Sequence, residues 1–318
     1  MGGLALSVLL AGCGLFGSDD DAAPAAATTS TTTSTTAPPV AVTEPPELID
    51  PGKEPRQPLR VTYTEGDQAE ITFTSDLQVT QDSDGRTQRL DSPPVAQTLT
   101  YTVGAVTDDG AALTISIDAI AAKGKGTGLD DEALAALDEE LAPLVGLEAT
   151  GTVTPLGELE DLEFAAPDGL PDALAAQLDA LEGQLPALGP ALPSEPVGVG
   201  ASWRTTSTSS AGGAEVDTVT TVTVRAISEG AVQYTSTIAT SSEPQDIALS
   251  GLAEGTTARM ESSTLEGATI GTMGLDRPTL TLRTQLSGTQ QITLTSEAGA
   301  QELTQALEIA YVAATVPD

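Results

Sequence analysis

The 318-residue sequence has no histidine, no asparagine and a single cysteine, and aromatic side chains fill only 3% of its positions. Each absence removes a class of chemistry. Without histidine there is no Ser-His or Cys-His nucleophile, no imidazole metal ligand and no ordinary general base poised near neutral pH. With Cys13 alone there is neither an intramolecular disulfide nor a thiolate zinc site. Basic residues are scarce too: 12 Lys and Arg stand against 46 Asp and Glu, for a formal net charge of −34. Such a surface repels phosphate backbones, which makes nucleic acid a poor partner. None of the lysines (Lys53, Lys123, Lys125) has a serine three residues ahead, so the S-x-x-K hydrolase signature is missing. Gly124-Lys125-Gly126-Thr127 lacks both the upstream glycine and the hydroxyl residue directly after lysine that a phosphate loop requires. Carboxylates are plentiful, but no spacing singles out a catalytic pair. The expectation is a non-enzymatic protein without cofactor or metal.

What is present begins at the N-terminus. Leu4 to Ala11 (LALSVLLA) has the length of a signal-peptide apolar region and is too short to span a bilayer. Leu10-Ala11-Gly12-Cys13 follows, in the order aliphatic, small, small, cysteine. This stretch resembles the lipobox of bacterial lipoproteins. The resemblance implies cleavage between Gly12 and Cys13, a diacylglyceryl group on the Cys13 sulfur, and anchorage on the extracytoplasmic face of the cell membrane. A signal also carries a basic start, and Met1-Gly2-Gly3 has none, so the true start codon is expected upstream. No Lys or Arg precedes Lys53, which leaves the acyl chains to hold the membrane alone.

From Gly17 to Gln57 short runs of Thr and Ser alternate with Ala and Pro, and large apolar side chains are almost absent. Such composition cannot offset its ordering entropy, so residues 13–57 read as a disordered tether behind the lipidated cysteine. About 40 residues behaving as a coil average roughly 35 Å between ends, enough to hold a domain clear of a membrane surface.

Residues 58–318 carry the folded part. The stretches LRVTYT, AEITFTSDLQVTQ, QTLTYTVGAVT and AALTISIDAIA alternate apolar residues with Thr, Ser or charge, the period of half-buried antiparallel strands. Turns are marked by Asp82-Ser83-Asp84-Gly85 and Asp108-Asp109-Gly110. A second alternating block runs from Ala201 to the end. Residues 101–117 echo 222–238, which is either a distant duplication or the similarity any two amphipathic hairpins share. Between the blocks, about 129–192, lies a helical insert. Leu134, Leu137, Leu141 and Leu144 follow helical spacing behind Asp130-Asp131-Glu132. Leu174, Leu178, Leu181, Leu185 and Leu188 form a longer stripe that starts at Pro171 and ends near Pro186 and Pro190. The expected fold is mainly β (α+β): a large antiparallel sheet, curved or half-barrel, with two leucine-rich helices packed on it.

The stretches LRVTYTEGDQAEITFTSDLQVT, QTLTYTVGAVTDDGAALTISI and LPSEPVGVGASWR carry a further likeness. With the lipobox and the Thr/Pro tether, the chain resembles a family of actinobacterial cell-wall lipoproteins that is defined only as a domain. More remotely, the order of signal, tether, antiparallel strands and covering helices is similar to half-barrel lipid-carrier lipoproteins, an analogy of fold without a shared motif. The two leucine stripes opposite an aromatic-poor sheet point to a binding or carrier module for a hydrophobic or amphiphilic envelope molecule, with a monomer favoured. In that reading Leu134, Leu137, Leu141, Leu174, Leu178, Leu181, Leu185 and Trp203 line an apolar cavity of at least about 300 Å³, the low end for ligand pockets. In the alternative readings the helices simply close the core and Trp203 is a core anchor. The protein is then a structural or interaction module that offers an edge strand, such as LEIAYVAATV, to another envelope component. An acidic-residue hydrolase, which needs two converging carboxylates, is the third reading.

Overall fold

The computed structural model describes residues 42–317 apart from positions 84, 125–128, 168, 212–213, 248–251, 253–254 and 298. Gly12, Cys13 and the tether up to residue 41 lie outside the described residues. The first alternating block forms β3 (Gln68–Ser83), β4 (Arg86–Asp91), β5 (Val95–Thr107) and β6 (Gly110–Ala122). The insert forms α1 (Asp131–Leu141), β7 (Glu148–Val153), β8 (Leu159–Phe164) and α2 (Asp172–Gln184). The second block forms β9 (Ser202–Ala211), β10 (Ala214–Ser228), β11 (Ala231–Ser242), β12 (Gln245–Ile247), β13 (Thr257–Gly274), β14 (Leu280–Ser296) and β15 (Gly299–Thr315). Two short strands come first, β1 (Val42–Thr43) and β2 (Glu47–Asp50).

All the described strands belong to one open sheet with antiparallel pairing throughout. Its order is β1-β9-β10-β11-β13-β14-β15-β3-β5-β6-β7-β8, with β2 on β9, β4 on β3 and β12 on β13. The two halves of the chain are joined where β15 pairs β3 over Thr315↔Ile71 to Leu303↔Ser83. LEIAYVAATV is therefore interior to the sheet, and the expectation that it offers an edge is corrected. Its alternation buries Leu307, Ile309, Tyr311 and Ala313 on one face, while β14 and β3 pair with its two edges.

The sheet curls. Thr205 on β9 and Phe73 on β3 line one small cavity, yet six strand-to-strand steps separate their strands. Laid flat, that distance would be roughly 29 Å at about 4.8 Å per strand. Two glycines on the inner face show how closely β13 and β14 approach. A Cβ on Gly267 would lie 2.0 Å from the Gln285 carbonyl oxygen, and one on Gly288 would lie 1.9 Å from that of Thr264. Only residues without a side chain fit there. The open ends of the curl are stitched by the segment before β3. Gln57 pairs with Val197, Val61 N–H donates to the Pro155 carbonyl at 2.9 Å, and Thr62 N–H donates to that of Leu275 at 2.7 Å.

Ordered structure starts earlier than composition suggests. Residues 47–50, inside the stretch read as tether, pair with β9 as Glu47↔Arg204 and Leu48↔Trp203. The segment EPPELID offers Leu48 to the core, and backbone pairing with an existing strand supplies the rest.

The two echoing hairpins share more than alternation. In each, a bulge follows the matched valine, after Val103 in β5 and after Val224 in β10. In each, that valine exchanges two backbone hydrogen bonds with a positive-φ glycine and its successor. Gly66 N–H donates to the Val103 carbonyl while Val103 N–H donates to that of Asp67, both at 2.9 Å. Gly200 N–H donates to the Val224 carbonyl at 3.0 Å, and Val224 N–H to that of Ala201 at 2.9 Å. Gly66 (φ 90°) and Gly200 (φ 87°) each sit just ahead of their block's first long strand. Alternation alone does not require a bulge, a left-handed glycine and a paired valine in the same order, so the duplication reading gains from this.

Candidate functional site

The insert packs as its spacing predicts. Asp130 caps α1 through a 2.9 Å bond from Ala133 N–H, and Asp138 docks the helix by accepting from Ala122 N–H at 2.7 Å. Leu141 and Leu144 are buried, while Leu134 and Leu137 are half-buried. On α2 the inward residues Leu174, Leu178 and Leu181 are buried, as is Leu185, which opens the short 3-10 turn Leu185–Ala187. Glu182 ties the C-terminal end of α2 to β8 by accepting from Phe164 N–H at 2.7 Å. Its partial burial raises its pKa above the usual carboxylate value, an effect opposed by that hydrogen bond and reinforced by Asp179 and Glu163.

Past Glu182 the chain crosses the concave face as a strap. Pro186 and Pro190 keep it from continuing as helix. Trp203, fully buried, donates its indole N–H to the Ala191 carbonyl at 2.8 Å. Arg60 then clamps the carbonyls of Pro193 at 3.1 Å and Ser194 at 2.7 Å. Between Glu182 and Ala191 the strap is held to the sheet by buried Leu185 in the main core and by Tyr234 Oη, which donates to the Leu188 carbonyl at 3.5 Å.

Beneath the strap lies a cavity of about 30 Å³, bounded by Gln184, Leu188, Gly189 and Ala191 above. Its floor is a row of small hydroxyl residues, Thr205, Thr220, Ser236, Thr269 and Thr284, set among Tyr234, Phe73 and Tyr311. Register explains the row in two segments: Thr205 faces Thr220, which in turn faces Ile238, while Ser236 faces Thr269, Thr269 faces Thr284, and Thr284 faces Tyr311. The Thr269 and Thr284 hydroxyls are 2.8 Å apart and share a hydrogen bond. Phe73 and Tyr311 stack with ring centroids 5.6 Å apart. Burial raises the tyrosine pKa values, that of Tyr311 to about 12. No charged residue lines the cavity.

Two expectations change here. The cavity falls far below 300 Å³ and holds water-sized molecules only as the strap lies. None of Leu134, Leu137, Leu141, Leu174, Leu178, Leu181, Leu185 and Trp203 lines it; α1 and most of α2 serve the core instead. The lining comes from Leu188 and from inward threonines and serines that alternation counts as solvent-facing. Runs such as WRTTSTSS place Thr or Ser in both phases, so polarity alone does not say which face is buried. Among the described residues no group of three or more His, Cys, Asp or Glu is placed to hold a metal ion. None of the described helices is long and apolar enough to cross a membrane.

No protein-family model matches the chain, and no curated protein matches it. Among solved structures, an outer membrane channel of Pseudomonas putida F1 is 10% identical at a TM-score of 0.19, over 80% of this chain and 97% of that one. The outer membrane protein OmpT of Vibrio cholerae is 8% identical at a TM-score of 0.17, over 77% and 99%. Pseudomonas aeruginosa OccK8 (OprE) is 7% identical at a TM-score of 0.18, over 80% and 100%. Likeness at this level consists of long antiparallel strands and carries nothing about function.

Proposed function

We propose that the protein is a non-enzymatic lipoprotein, anchored through Cys13 on the extracytoplasmic face, that binds an uncharged amphiphilic molecule beneath the strap at 185–191. One observation supports this reading above the others: an uncharged floor of buried hydroxyls and aromatic rings beneath the strap. In a chain of net charge −34, such a floor suits neutral hydroxyl, ester or amide groups beside an apolar tail. Ligand entry requires the strap to lift between its attachments at Leu185 and Ala191, because the cavity as the strap lies is too small.

Trp203 is the only indole and is bonded to the end of the strap, so it reports directly on the site. A neutral amphiphile carrying bromine in its chain is expected to quench Trp203 fluorescence saturably. Mass spectrometry of organic extracts from the purified protein is expected to find a co-purifying neutral lipid. Absence of both quenching and extractable lipid removes the reading. Anchoring has its own test: Cys13→Ser is expected to move the protein from the membrane fraction to the soluble one.

The small cavity favours a second reading, in which the filled interior makes the protein a structural or interaction module of the envelope. In that case a protein, and no lipid, co-purifies.

A further inference from the structure

A second polar row crosses the interior, parallel to the hydroxyl row and six residues farther along β14, roughly 20 Å away. Register aligns Ser242 with Ser263, Ser263 with Gln290, Gln290 with Gln305, Gln305 with Gln81, and Gln81 with Gln88. Residues directly opposite in antiparallel strands share a face, with Cβ atoms about 5 Å apart. Four glutamines on four adjacent strands thus form one line of side-chain amides. The line runs from exposed Gln88, through half-buried Gln81 and Gln305, to fully buried Gln290 and buried Ser263. Gln305 Nε2 donates to Gln81 Oε1 at 3.0 Å.

Gln290 is the exception in the line. It is 0% exposed, and among the described residues neither its Oε1 nor its Nε2 has a hydrogen-bond partner. A buried amide left unsatisfied costs about 1–3 kcal/mol, and native interiors rarely tolerate it. What satisfies Gln290 must both donate, to Oε1, and accept, from Nε2. A cation meets only the first need and an anion only the second. The same-face neighbours along β14, Gly288 toward the main core and Ile292 away from it, offer neither. Access along the row is bordered by the amides of Gln81 and Gln305, which suits a small neutral molecule that exchanges hydrogen bonds as it moves.

We propose that the Ser263–Gln290–Gln305 segment is an internal hydration site. Ordered water bridges the Gln290 amide to its two in-register neighbours and exchanges with solvent along Gln81 and Gln88. Buried waters of this kind make about three hydrogen bonds to groups that would otherwise be unsatisfied. The site stands independently of any ligand under the strap.

Water-oxygen magnetic relaxation dispersion on the intact protein counts long-lived internal waters in solution. Gln290→Leu, which keeps the bulk and removes both polar atoms, is expected to lose at least one of them, while Gln88→Leu at the exposed end keeps the wild-type count. An unchanged count in folded Gln290→Leu overturns the proposal. If that variant does not fold, a crystal structure of the wild type at about 1.5 Å decides. Water density within about 3.2 Å of both Gln290 polar atoms supports the site. A Gln290 amide bonded directly to Gln305 or Ser263, with no water beside it, overturns it.

Discussion

Two apolar clusters of very different build lie on either side of the glutamine row. The larger draws residues from β3 through β15 and from both helices, and includes Trp203, Phe73, Tyr101, Tyr234 and Tyr311. The smaller consists of Ala214, Ile247, Ala258, Met260 and Ile292, with Leu252, Leu294 and Leu303 packed against it. No aromatic residue takes part in it among the described residues. Its outer ties are exposed polar contacts: Gln245 Nε2 to the Glu215 carbonyl at 2.8 Å, Glu215 N–H to Gln245 Oε1 at 2.7 Å, and an Arg259–Asp246 pair at 3.0 Å. Exposed pairs of that kind contribute about 0–1 kcal/mol each. The same long strands β13 and β14 run through both clusters. Strand continuity therefore does not make one core; a polar row across the strands is enough to divide it. The larger cluster should set global stability, and the smaller should open on its own.

The largest effect is expected at the main cluster. Trp203→Ala removes a fully buried indole and the strap's bond at Ala191, and should destabilise the whole domain by about 3–5 kcal/mol in denaturant unfolding. A loss below about 1 kcal/mol would mean that the large cluster is not the unit that governs folding.

Ile292→Ala tests the other side. It should cost about 2 kcal/mol, felt as faster amide exchange in residues 258–260 and 290–294 with little change around Ile309 and Tyr311. Uniform acceleration across both regions would show one cooperative core and break the distinction.

The smallest effect is that of pH, which appears only in alkali. Burial raises the pKa of Tyr311 from 10.0 to about 12 and moves those of Tyr101 and Tyr234 in the same direction. A raised native pKa means the neutral form is favoured in the fold. The stabilisation is full below pH 10 and is lost as pH rises through about 12. Tyrosinate absorbance should rise together with loss of structure in the main cluster, while the smaller cluster, which has no tyrosine, contributes no alkaline transition of its own. Tyrosine ionisation well ahead of unfolding would contradict the burial.

Much of the fold was legible in the alternation. The strands of both blocks, the turns at Gly85 and Gly110, and both leucine-striped helices follow from period and turn chemistry. Order along the sheet was not, because nothing local in LEIAYVAATV distinguishes a strand with one neighbour from a strand with two. The site was the least legible part. Its floor is made of threonine and serine, residues that suit a solvated face and an inner face equally well in a Thr-rich sheet. The glutamine row had a faint signal: Gln81, Gln290 and Gln305 each fall in the inward phase of their strands. Seeing that they meet needs the register of four strands at once.

The placement of β15 has a consequence for when the domain can form. Its pairing with β3 joins residues such as Thr315 and Ile71, nearly the full length of the domain apart in sequence. Contacts that distant are slow to find, and here β15, made well after β3, is the strand that bridges the two halves. A chain still being synthesised has two meanders with long unpaired borders and no seam between them. Closure of the seam must await synthesis of β15, and loss of this 17-residue strand should leave both halves prone to pair with the wrong neighbour.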